Sequence, residues 1–164
     1  MNNLKRISLM TGIFLTVALV GSAVEAGVIR INGTIAGSES ITPFPNPAEG
    51  IYVNGSVTST DTALGSFTLF YSLPVDFAFA NTPPGNAGGS RLIVGDPANG
   101  DSILAWFLGI NSGVCDNGLR HVDPWTIIGG TGRFAGAMGS FTTDQCSNFE
   151  TSGTISGTIV VRGP

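Results

Sequence analysis

Beyond its first two dozen residues the chain alternates apolar and polar positions in short runs broken by glycine, proline, asparagine and aspartate. Ser66-Phe67-Thr68-Leu69-Phe70-Tyr71 shows the period best, with Phe67, Leu69 and Tyr71 on one face. A period of two is what a half-buried strand writes into a sequence. Segments 28–31, 34–36, 51–53, 56–58, 76–79, 91–94, 103–108, 125–128 and 154–161 read as further strands. Asn32-Gly33 and Asn54-Gly55, each between β-branched flanks, signal tight hairpins. The proline- and glycine-rich stretches 41–50 and 81–90 read as loops, where binding groups are often mounted. Helical periodicity is absent after the opening segment, so the pattern predicts a turn-rich all-β domain.

The opening segment is of another kind. Lys5 and Arg6 precede an apolar run over 7–20 that is short for a membrane span, and Val24-Glu25-Ala26 has the small-x-small pattern of a cleavage site. The expectation is a signal peptide at 1–26, export, and a single domain at 27–164. No later apolar run reaches transmembrane length. Setting aside Lys5, Arg6 and Glu25 leaves 5 basic and 10 acidic residues and no lysine. That balance excludes nucleic acid and anionic membrane surfaces as natural partners. Twenty-four glycines would suggest disorder, but 42% hydrophobic residues in recurrent β-branched and aromatic runs argue for a packed core.

One stretch concentrates the glycines: Trp125-Thr126-Ile127-Ile128, then Gly129-Gly130-Thr131-Gly132-Arg133-Phe134-Ala135-Gly136-Ala137-Met138-Gly139. A strand runs into a turn and a second strand that holds Gly136 and Gly139, as a strongly curved sheet requires. Gly130 to Ala135 also fits the dinucleotide pattern G-x-G-x-x-G/A, with Glu150 about twenty residues on. That site needs a helix to open at the third small residue, and the next residues here are glycine, serine and β-branched types instead. The segment resembles the G-G-x-G-x-F-x-G-x-x-G turn of allene oxide cyclase and dirigent-protein barrels, and bacterial secreted proteins carry a similar G-G-T-G-R-F-A-G-A segment. The resemblance implies an eight-stranded antiparallel barrel with a central apolar cavity, and an activity on an oxidised lipid or a phenolic compound. Met138 stands where dirigent proteins usually carry arginine, and Ala135 where plant cyclases often have an acidic residue. Gly129, Gly130, Gly132, Gly136 and Gly139 therefore carry over as structure, and no catalytic residue comes with them.

Candidate chemistry is sparse. Cys115 and Cys146, the only cysteines, read as a disulfide in an exported chain, with a catalytic thiol as the alternative. His121, the only histidine, lies near Asp116 and Asp123 and could form an acid–base pair with either. Asp116-Asn117-Gly118 and Asp123-Pro124 are ordinary turn sequences, however, and make it a surface-loop histidine. Asp96, Asn99, Gly100 and Asp101 cluster oxygen ligands but miss the calcium-loop spacing, so a turn without metal is expected. Phe67, Phe77, Phe79, Trp106, Trp125 and Phe134 supply aromatic surface for a cavity or for plain core, and Arg91 is a candidate inward cation. Alternation turns Arg133 outward beside an inward Phe134. Asn32 and Asn54 are glycosylation sequons, relevant only in a host that glycosylates. No cofactor is implied. The resulting reading is an exported β-barrel that holds a small apolar ligand, with a cyclase- or dirigent-like activity and a structural secreted module as alternatives.

Overall fold

The computed structural model describes residues 27–59, 63–78 and 86–162. The expected signal peptide and Phe79 lie outside these residues. The described residues form nine strands: β1 (Gly27–Pro43), β2 (Gly50–Ser59), β3 (Phe67–Asp76), β4 (Asn86–Val94), β5 (Asp101–Gly109), β6 (Asn111–Cys115), β7 (Gly118–Gly130), β8 (Met138–Asn148) and β9 (Glu150–Val161). Their order is β5-β4-β3-β2-β1-β9-β8-β7, all antiparallel, and β5 also pairs with β7. Eight strands thus close into the barrel that the resemblance implies, and closure removes the exposed edges. The short β6 stays outside the ring as a hairpin on β7.

Both Asn-Gly hairpins are absent. Gly33 pairs with Ile155 in the middle of one long β1, and Gly55 lies inside β2. The physical reason is that alternation runs through both dipeptides: Ile29, Ile31, Gly33 and Ile35 share a single face, and the glycine is an inward position without a side chain. At Gly55 the space is needed, since a Cβ there would overlap the ring of Tyr71. The expected loop over 41–50 is likewise shorter, because β1 continues to Pro43, and β4 begins at Asn86 within the second expected loop.

The glycine-rich stretch closes one end of the barrel. Strand β7 stops at Gly130, a 3-10 turn follows at Gly132–Phe134, and β8 starts at Met138. Gly132 (φ 59°) and Gly136 (φ 69°) have left-handed backbones, so Gly136 belongs to the turn and not to the following strand. The turn drives Phe134 into the barrel, where it is fully buried, and leaves Arg133 outside against Asp101, Nε to Oδ2 3.1 Å. Their opposite orientations come from the turn and not from a strand pleat. Phe67, Leu69, Leu92, Ile103, Ile127, Ile155 and Ile159 belong to the same buried core as Phe134. Above them Trp125 is stacked between Phe107 and Phe141, ring centroids 3.9 and 5.2 Å away. Phe67, Trp125 and Phe134 are therefore core and not cavity wall: this half of the barrel is filled by its own side chains.

Candidate functional site

The opposite half is open. It is built where β1, β3 and β5 end and β2, β4 and β7 begin. A cavity of about 450 Å³ occupies it. Ile41, Ile51, Val53, Leu73 and Val75 form an apolar wall. Phe77 and Phe149, 53% and 59% exposed, stand at the rim. The floor is polar: Glu39, Tyr71, His121, Asp123, Gln145 and Ser147. Each of these occupies a position in phase with the apolar core of its own strand, so the pleat that buries Trp125 and Ile127 also turns His121 and Asp123 inward.

Pairing register explains how the floor is assembled. Glu39 of β1 faces Gly55 of β2, which faces Tyr71 of β3. With no side chain at Gly55, the Tyr71 ring lies across β2 and its hydroxyl donates to Oε1 of Glu39. The Ser147 hydroxyl donates to Oε2 of the same carboxylate, and the Thr151 hydroxyl to Ser147 Oγ at 3.3 Å. Asp123, 2% exposed, accepts the backbone N–H of Ile110 at 2.8 Å and the side-chain amide of Gln145 at 3.5 Å. Beneath them the Trp125 indole N–H donates to Thr143 at 2.9 Å, which joins the polar floor to the aromatic stack.

Burial dominates the electrostatics. It pushes the Asp123 carboxyl up to about 7, helped by the charge of Glu39 and opposed by the Ile110 N–H. Burial lowers the His121 imidazole against the attraction of Glu39, so the ring is neutral near pH 7. Burial, and then Glu39, push the Tyr71 phenol up, which keeps it a hydrogen-bond donor. No described arginine reaches this site: Arg30, Arg91, Arg120, Arg133 and Arg162 are all exposed. Arg120 is paired outside with Asp144, Nη2 to Oδ2 2.5 Å.

Of the aromatic and basic candidates read from sequence, Phe77 lines the cavity. Arg91 and Trp106 are on the outer face, Trp106 42% exposed between buried Ala105 and Phe107, because alternation along β5 gives them opposite directions. His121 is a half-buried strand residue and not a loop residue, and Asp123-Pro124 continues β7 instead of turning. Asp116 and Asn117 do form a turn, which joins β6 to β7. At the candidate calcium loop, the Asp96 carboxylate accepts the Ala98 N–H at 2.8 Å, its carbonyl accepts those of Asn99 and Gly100, and Asp101 is held by Arg133. Cys115 and Cys146 form a disulfide, Cα atoms 6.1 Å apart, tying β6 to β8 across β7. Glu39 escaped the sequence reading, although an acidic residue in phase with Ile29, Ile31 and Ile35 was its visible signal.

No known family profile matches the sequence, and no curated protein is significantly similar to it. Among solved structures, the chain is similar to a pterocarpan synthase dirigent protein, with a TM-score of 0.55 and 14% identity over 90% of this chain and 95% of that one. What is shared at that identity is the fold: this chain is a dirigent-like β-barrel.

Proposed function

We propose that this chain is an exported small-molecule protein that takes a mainly apolar compound into the open half of its barrel and presents it with an acid–base pair, Asp123 and His121. The observation that carries this reading is the buried polar floor under an apolar wall: a purely apolar lining would favour passive binding alone, whereas an inward carboxyl with shifted protonation, that of Asp123, favours chemistry. A carboxyl that titrates near 7 and a neutral imidazole are matched to proton transfer at neutral pH. Tyr71 and Ser147 would hold the Glu39 side chain in place beside them. A dirigent-like role on a phenolic compound is supported by the shared fold with a pterocarpan synthase dirigent protein and by the G-G-T-G-R-F-A-G-A segment. Export is supported by the basic and apolar opening of the sequence and by the disulfide.

Native mass spectrometry of the protein from the exported fraction of its own host tests the reading. A retained small molecule, released on denaturation, is the expected result. An empty barrel that also ignores added aromatic compounds would contradict it.

A further inference from the structure

We infer that the cavity sorts ligands by charge, taking an apolar molecule that carries an amine and rejecting the same skeleton carrying a carboxylate. The inference rests on the ligand-binding reading above and names the class of compound that fits the same site. Two carboxyl groups, Glu39 and Asp123, lie at the floor beside the His121 imidazole, with no lysine and no described arginine near them. The titratable groups that face this space are Glu39, Tyr71, His121 and Asp123. None of them brings a positive charge at neutral pH, since the His121 ring is neutral there. The five described arginines are exposed, and the only lysine of the sequence is Lys5.

In a poorly solvated pocket such an arrangement is one-sided. A ligand carboxylate would lose its hydration beside the two carboxyl groups, with no lysine or described arginine to replace it. An ammonium group supplies the missing countercharge. Each Glu39 oxygen accepts one hydrogen bond among the described residues, so lone pairs remain for its N–H groups. Tyr71 and Phe107 at the floor and Phe77 and Phe149 at the rim line the cavity with aromatic rings, which favour a cation over an anion. The wall of Ile51, Val53, Leu73 and Val75 sets the other requirement, a compact apolar body.

Calorimetric titration of the intact protein at neutral pH with naphthylethylamine, naphthylethanol and naphthylacetate separates these contributions, because the three share a skeleton and differ in charge. The amine is expected to bind at least about tenfold more tightly than the acetate, with the alcohol between them. Asp123→Asn and, independently, Glu39→Gln should each narrow that ratio. Acetate binding as tight as the amine, with the alcohol also bound, overturns the charge inference and leaves the cavity reading standing. Failure of all three to bind overturns the cavity reading itself.

Discussion

Gly55 and Asp123 show how single residues set this site. The Tyr71 ring occupies the space that a side chain at Gly55 would take, and from there reaches Glu39. Gly55→Ala should displace the ring, break its hydrogen bond and cost about 1–3 kcal/mol in urea denaturation. Gly89→Ala, where an added methyl group meets nothing within 4 Å, is the matched control and should stay within about 0.5 kcal/mol of the parent. Asp123 links the site to pH. Its carboxyl titrates at about 7 in the folded protein against 3.8 as a free group, so the native state holds the proton longer than the unfolded chain does. Burial of Asp123 is thus harmless below the unfolded value and increasingly destabilising as pH rises to about 7, after which the loss levels off. The stability of Asp123→Asn relative to the parent should therefore grow by a few kcal/mol from about pH 4 to about pH 8. His121 acts with the opposite sign, its contribution being present above 6.5 and lost as pH falls, and it drops out of the difference because both proteins carry it. Legibility at this scale was uneven. The in-phase positions of Tyr71 and His121 were in the sequence, but the pairing that puts Glu39, Gly55 and Tyr71 in one row depends on the register of three strands, which local pattern does not encode.

At the level of elements, period-two alternation located most strands, and the errors have a common cause. Asn-Gly is a hairpin signal where a sheet must reverse, yet in a barrel with long tilted strands glycine also serves as an inward gap, as in β1 and β2. Asp123-Pro124 misled for a related reason, because an outward proline was absorbed into β7 while its neighbour turned inward. The disulfide pins β6, the strand outside the ring, to β8. Replacing Cys115 and Cys146 together by serine opens a cross-link between residues 31 apart and should lower stability by about 3 kcal/mol, measured by urea denaturation with and without reductant. The β8–β9 hairpin carries the other distinctive feature. Phe149 has a left-handed backbone, φ 65°, and is the only described non-glycine residue that does. Such a conformation costs an ordinary residue about 1–2 kcal/mol, while the ring remains 59% exposed at the cavity rim. Phe149→Gly should leave stability equal or higher and weaken the binding of naphthylethanol several-fold, a split that denaturation and calorimetry on the same sample resolve. Equal losses in both would assign Phe149 a packing role only.

The whole molecule is a barrel divided along its axis. One half is plugged by Phe134 and stacked aromatic rings, and the other is left open over a floor of carboxylates and donors. That division was partly legible, since the glycine-rich turn pointed to closure and the aromatic residues to a core. Which half would be filled was not, because it depends on where the turn delivers Phe134 once the ring has closed. The central claim, that the open half is a ligand site, is tested most directly by following backbone amide resonances while naphthylethanol is added. Saturable shifts concentrated at Ile41, Ile51, Leu73, Phe77, His121 and Phe149, with the Gly129–Gly139 turn undisturbed, are the expected result. Absence of saturable shifts, or shifts centred on the Phe134 end, would contradict it.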